Sequence, residues 1–162
     1  NGRFFPKLFA AAADLKIAGI DFSPTMVQAA KEYNQQPIRG GRLNIIQGAS
    51  DALPFPENSF DKIFCINVIY FWDNPLPHLK EIQRVLKPGG KFFATIRTRE
   101  SMALMPFTKY GFTGYTAAEW EKRVSESGLR FAGAVKTDEP EVEFEGKPFL
   151  VQSLCMIAEK KN

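Results

Sequence analysis

Apolar residues along this chain alternate between helical spacing and short unbroken runs, and each change of rhythm marks an element. Phe4, Phe5, Leu8, Phe9 and Ala12 recur at helical spacing, and Pro6 falls in the first turn, where its missing N–H has no intrahelical partner. Leu15 to Ile20 is a short apolar run closed by Asp21. Ser23 then stands as an N-cap and Pro24 as the first residue of a helix through Met26, Ala29, Ala30 and Tyr33. Pro37 to Gly41 punctuates, Leu43 to Gln47 reads as a second strand, and Leu53 to Ser59 is too rich in proline to be other than a loop. A third strand runs through Ile63, Phe64, Cys65 and Ile66, nearly all apolar, as expected where helices cover both faces of a parallel sheet.

Leu76, Leu79, Ile82, Val85 and Leu86 form the apolar stripe of a further helix, which Pro88-Gly89-Gly90 stops, and Lys91 to Ile96 is the next strand. From Arg97 to Gly114 the periodicity dissolves into a polar and aromatic connection. Thr116-Ala117-Ala118-Glu119 then has the form of a capping box, opening a helix that ends near Gly128. Leu129 to Thr137 and Phe149 to Ala158 read as a final pair of strands joined by an acidic loop, Asp138 to Gly146. Strand and helix alternate, which predicts an α/β domain with a mostly parallel sheet and one antiparallel strand near the C-terminus. No internal repeat or low-complexity tract interrupts it.

Composition narrows the picture only slightly. The 162 residues, 44% apolar and 13% aromatic, suit one globular domain, taken as 1–162. The net charge of +3 is spread along the chain with no single-sign block, which argues against nucleic acid or a membrane surface as partner. No apolar run approaches the roughly 20 residues needed to cross a bilayer. Cys65 and Cys155 lie far apart in apolar runs; reduced thiols and a cytoplasmic setting are expected of them rather than a disulfide framework. His, Cys and carboxylates do not cluster at metal-ligand spacing, so no metal is expected.

Ligands of open α/β sheets gather at the carboxyl ends of strands. Asp21 ends its strand in the segment AGIDFSP and follows Gly2 by 19 residues (2 to 21). That is close to the separation of about 20 between a glycine-rich turn and an acid that holds a ribose. A carboxylate accepts hydrogen bonds from both ribose hydroxyls. Spacing alone leaves a second reading open, an acidic turn residue stabilised by the dipole of the following helix.

The run ALPFPENSFDKIFCINVIYFW followed by EIQRVLKPGGKFFATI resembles the middle of a class I S-adenosylmethionine (SAM) dependent methyltransferase of the broad type 11 group, and AGIDFSP is similar to that family's segment after its second strand. The resemblance covers Asn1 to about Thr98, with only an outline beyond. It implies a Rossmann-like sheet of seven strands, SAM over the strand ends, and methyl transfer to a nucleophilic acceptor. By position, Asp21 would bind the ribose hydroxyls and Phe22 would lie beside the adenine. Ser50 and Asp51 would sit at the adenine edge, and Asn67 and Val68 would border the methionine part. In RVLKPGG the implied roles are structural: Leu86 packs, Gly89 and Gly90 turn the chain, and Lys87 is not catalytic.

The sequence departs from the family in two places. The family often has an acid directly after the glycine of its adenine loop; here Ala49 stands there, with Asp51 two residues on. The family's first strand and first glycines would precede Asn1-Gly2, so Gly2 is read as the tail of the glycine motif with the first strand missing. A polypeptide beginning at Asn1 is expected to bind SAM poorly.

For SAM, an activated sulfonium, a dedicated base is optional and alignment is the main task. Tyr70 and Trp72 either face the sulfonium or pack on the next helix, the second being favoured. His78 lies off the apolar stripe and is expected to face solvent. Phe107, Tyr110, Phe112 and Tyr115 occupy the place of an acceptor lid, or simply pack as a loop. Lack of a basic stripe favours a small-molecule acceptor over nucleic acid. Two other functions stand beside this one. A nicotinamide-dependent oxidoreductase would share the acid after the strand and leave LPF and RVLKPGG unexplained. A non-enzymatic interaction domain would keep the scaffold alone. No pattern encodes the oligomeric state.

Overall fold

Ser23 and Pro24 behave as their types dictate: the Ser23 hydroxyl accepts from the Met26 N–H (3.3 Å) and Pro24 opens the helix. The computed structural model describes residues 2–12, 14–105, 108, 111–140, 142–144 and 147–162. They fall into two units, Asn1–Pro54 and Phe55–Asn162.

The first unit holds α1 (Phe5–Ala11), β1 (Ile17–Asp21), α2 (Pro24–Tyr33), α3 (Gln35–Arg39) and β2 (Leu43–Gln47). β1 and β2 run parallel, with Ile17 opposite Leu43 and Asp21 opposite Gln47. Val27 and Ala30 of α2 pack with Leu43 and Ile45 of β2, and Phe5, Phe9, Ile17 and Ile38 close over them. The short α3 corrects the expectation of mere punctuation at Pro37: proline in a first turn forfeits no hydrogen bond, so the helix forms and stops only at Gly40.

The second unit begins with β3 (Phe60–Ile66), a 3-10 turn (Ile69–Phe71), α4 (Pro75–Val85) and β4 (Leu86–Arg97). It continues through α5 (Arg99–Ala103), α6 (Ala117–Glu126), β5 (Leu129–Asp138), β6 (Val142–Phe144), β7 (Lys147–Phe149) and β8 (Gln152–Lys160). Its main sheet has the order β3-β4-β8-β5. β3 and β4 are parallel, and β8 is antiparallel to both β4 and β5. Three strands therefore point one way and β8 alone runs against them, which is the single reversed strand expected near the C-terminus. Phe92, Ala94 and Ile96 alternate along β4 and are fully buried with Met156 and Ala158 of β8, beneath Leu79 and Val85 of α4 and Trp120 and Val124 of α6.

Four expectations change. α4 ends at Val85, before the Pro-Gly-Gly, because Leu86 is already extended and enters the sheet opposite Phe60. The ladder then jumps to Lys91 opposite Lys62, so residues 87–90 form an excursion rather than a helix stop. The connection after Arg97 contains α5, capped by Thr98, whose side chain accepts from the Ser101 N–H. The acidic loop contains β6, which pairs with β7 just beyond the loop's expected end at Gly146. Among the described residues the strands form two-, four- and two-stranded sheets rather than one of seven, and parallel ladders are confined to β1 with β2 and β3 with β4. None of the described helices is long and apolar enough to cross a membrane.

Candidate functional site

In the first unit the strands deliver four of the predicted residues to one end. The Asp21 carbonyl accepts from the Gly48 N–H (3.0 Å), and the Phe22 carbonyl accepts from Gln47 Nε2 (3.2 Å), so the loops leaving β1 and β2 are tied together. Asp21 is half-buried, and its Oδ1 accepts from the Ser23 N–H (2.9 Å). Phe22 is 78% exposed, a flat apolar face offered to solvent. Ser50 and Asp51 follow in the turn after β2, half-buried and exposed respectively.

Gly2 belongs to the same place. Gly2 and Asp21 line one small cavity of about 60 Å³ together with Phe5, Met26 and Ala30. Gly2 has φ +68°, and a Cβ on it would lie 2.7 Å from Asn34 Nδ2, so both conformation and space demand glycine. Its carbonyl is held by Asn34 Nδ2 at 3.2 Å.

In the second unit Asn67 follows β3 directly, with its N–H bound to the Thr95 carbonyl at 2.8 Å. It holds a left-handed backbone, φ 56°, uncommon for a residue with a side chain and of the kind found at ligand sites. Val68 beside it is exposed. Asn67 lines a cavity of about 200 Å³ with Tyr70, Phe71, Arg97, Met102 and Phe112. Tyr70 accepts from the Arg97 N–H (2.5 Å) and lies within reach of Asn67 Oδ1 (3.3 Å). Burial pushes its phenol above the ordinary range.

Other candidates resolve into packing. Trp72 is buried and its ring stacks on His78 at 4.4 Å and 3°, so the one histidine is half-buried against an aromatic instead of facing solvent. Tyr115 packs edge-on to Trp120 at 5.1 Å. Phe112 joins the second cavity, while Phe107 and Tyr110 lie outside the described residues. Both cysteines are free, and burial pushes the Cys65 thiol up to about 12. Among the described residues no three His, Cys, Asp or Glu side chains gather as a metal site.

Sequence reasoning passed over Arg97 and Met102. Arg97 is a basic residue at the carboxyl end of a strand, where ligands of such sheets gather, and that position is its signal in the sequence. Leu86 is fully buried, Lys87 pairs with Asp61 at 2.9 Å, and Gly89 has φ +74°, in keeping with structural roles.

A family model described as a methyltransferase domain matches residues 1–94. An uncharacterized methyltransferase, YdaC, of Bacillus subtilis is 34% identical over 97 residues, covering 59% of this chain and 51% of that protein. A demethylmenaquinone methyltransferase of Lactococcus lactis is 34% identical over 100 residues, 62% of this chain and 38% of its own length. The chain thus spans about half or less of these curated relatives. The methyltransferase solved in complex with the Trm112 methyltransferase activator of Haloferax volcanii superposes with a TM-score of 0.81 at 22% identity, over 98% of this chain and 77% of that one. The fold is shared with that protein, and the sequence match spans more than half of the 162 residues: the chain belongs to the methyltransferase-domain family, class I enzymes that use S-adenosylmethionine.

Proposed function

We propose that this protein transfers the methyl group of SAM to a small-molecule acceptor, residues 1–162 working as one domain. The observation that carries the reading is Gly2 and Asp21 on one cavity at the carboxyl end of β1, 19 positions apart (2 to 21). A nucleoside fits that set: a half-buried carboxylate, with one oxygen making no hydrogen bond to the described residues, suits a vicinal diol, and an exposed ring beside it suits a base.

When bound, SAM supplies a methyl on an electrophilic sulfonium, so the chain's task is to bind, align and exclude water. Asp21 would hold the ribose hydroxyls, Phe22 would lie against the adenine, and Ser50 and Asp51 would meet its edge. Gly2 would let backbone approach the methionine part; Asn67 and Val68 are assigned to that part by sequence position alone. The mixed surface charge, +3 in 162 residues, supports a small acceptor over nucleic acid. Two free thiols suit a reducing, cytoplasmic setting.

Calorimetric titration with SAM and, separately, NADH, each carried into the millimolar range, tests this. Heat with SAM and none with NADH is expected. Asp21→Ala should weaken SAM about 10- to 100-fold, the effect of losing hydrogen bonds to a charged group. Equal affinity in the variant, or binding of NADH alone, overturns the assignment.

A further inference from the structure

The cavity of about 200 Å³ in the second unit is lined mainly by rings and a thioether. Phe71 and Phe112 meet at 4.9 Å and 60°, Tyr70 and Phe112 at 5.6 Å, and Met102 lines it with them. An engineered cavity of about 150 Å³ admits benzene, so this one has room for a guest of one to two fused rings. Arg97, the cation of the lining, is engaged by the protein: Nη1 reaches Met105 Sδ at 3.2 Å and Nη2 reaches Glu139 Oε2 at 3.3 Å. Two neutral polar groups remain in the lining, the Tyr70 phenol and the Asn67 amide.

Those two groups hold each other. Tyr70 is buried, and its oxygen accepts from the Arg97 N–H at 2.5 Å. Burial raises the phenol above its ordinary range, so it keeps its proton through neutral pH. With its oxygen already taking an N–H, the phenol acts toward Asn67 as the donor, and Asn67 Oδ1 accepts from it at 3.3 Å. The Arg97 carbonyl, at 3.4 Å, is the longer alternative. The amide is thereby turned: its oxygen is committed within the protein, while its NH2 makes no hydrogen bond to the described residues. Asn67 is exposed and lines the cavity, so a guest can reach that NH2. Its left-handed backbone, φ 56°, persists because neighbours fix it, the Tyr70 hydroxyl on one side and the Thr95 carbonyl on the other.

We infer that Tyr70 is a positioning residue that makes Asn67 a hydrogen-bond donor, so that the cavity selects a flat ring molecule bearing a carbonyl oxygen or ring nitrogen over one bearing an N–H. The discrimination comes from mismatch. A guest N–H brought against the Asn67 NH2 leaves its water partner and meets no acceptor, whereas an oxygen or ring nitrogen is satisfied there. Sequence position alone places Asn67 beside the methionine part of SAM; the cavity gives it a task of its own. Only the statement that this guest is the molecule to be methylated rests on the methyltransferase reading.

The test titrates the protein, without SAM, with quinoline and with indole near neutral pH, following the ring proton signals of Tyr70, Phe71 and Phe112. Both probes are flat, two-ring molecules of similar size; the quinoline nitrogen only accepts a hydrogen bond and the indole nitrogen only donates one. Quinoline should bind about five- to tenfold tighter, as expected for one hydrogen bond made against one left unmade. Tyr70→Phe keeps the ring and frees the amide to rotate, so the two affinities should become equal. Asn67→Asp tolerates the left-handed backbone and presents an acceptor in place of the NH2, so the order should reverse. Phe112→Ala should weaken both probes alike, because loss of packing lowers the two affinities and leaves their ratio. Equal affinity in the unaltered protein, tighter binding of indole, binding of neither, or a quinoline preference that survives Tyr70→Phe or Asn67→Asp overturns the inference. If Tyr70→Phe does not fold, the reversal in Asn67→Asp decides. Failure of the SAM titration leaves this donor selection standing, and failure of donor selection leaves the SAM reading standing.

Discussion

Glu119 gathers three bonds on one carboxylate. It accepts from the Thr116 N–H at 2.8 Å, from the Thr116 hydroxyl at 3.0 Å, and from Arg99 Nη2 at 2.6 Å. The Arg99 guanidinium first, and then the Thr116 donors, hold its carboxyl down to about 2 from an ordinary 4.5. A depressed folded value means that the unfolded chain takes up the proton first. The stabilisation is therefore complete above pH 4.5 and is lost as pH falls from there through about 2. Urea midpoints of the protein and of Glu119→Gln, compared from about pH 6 to about pH 2.5, should differ at the upper end and converge at the lower. A gap of constant size across that range would refute the linkage. This box was legible in the letters T-A-A-E, and the Ser23 cap in S-P, because a cap depends on residues within one turn. Arg97 was not legible in the same way: its role depends on Glu139 and Met105, brought to it by other elements.

At the scale of elements, the motifs that carry the family resemblance prove to hold each other. Arg84 of α4 donates through Nη1 to the Phe55 carbonyl at 2.8 Å, joining RVLKPGG to LPF, while Lys87 pairs with Asp61 of the FD dipeptide at 2.9 Å. A Cβ on Gly90 would fall 2.8 Å from the Lys87 carbonyl and 3.2 Å from that of Asp61, so the excursion closes only around glycine. The Arg84–Glu81 pair, though two-pronged, lies at the surface and contributes little. Arg84→Met should then cost about 1 to 2 kcal/mol in urea unfolding, and Glu81→Gln much less, since the bond to the Phe55 carbonyl is what the arginine uniquely makes. Equal losses would assign the effect to the ion pair. The regular elements could be read in advance because each follows its own period: β2 was expected and found at Leu43–Gln47, and α4 follows its stripe. α3, α5 and the β6–β7 hairpin are five residues or fewer to an element, too short to establish a period.

For the molecule as a whole, what local pattern left unsaid is pairing across long separations. The position of β8 between β4 and β5, and the register Thr95 opposite Cys155, follow from no spacing in the chain. Lys160 at the end of β8 shows how the second unit is fastened. Its ammonium donates to the Leu86 carbonyl at 2.8 Å, the Arg84 carbonyl at 3.3 Å and Asn58 Oδ1 at 2.8 Å. It thereby satisfies carbonyls at the C-terminal end of α4 with a positive charge where the helix dipole favours one. Lys160→Met, which keeps most of the stem, should destabilise the protein by about 1.5 to 3 kcal/mol in urea unfolding, the range for hydrogen bonds to a charged donor. A loss below about 0.5 kcal/mol would mean that water replaces the ammonium without cost.

The insertion of β8 also imposes an order on biosynthesis. A ribosome that has delivered β5 has made an outer strand whose only neighbour in the main sheet, residues 152–160, is still untranslated. Until that stretch emerges, β4 presents the side that β8 will cover as open backbone, and closing the gap requires β8 to slide between two strands already made. The nascent chain is therefore exposed to mispairing until residues 152–160 emerge, when Lys160 arrives to latch the helix behind it.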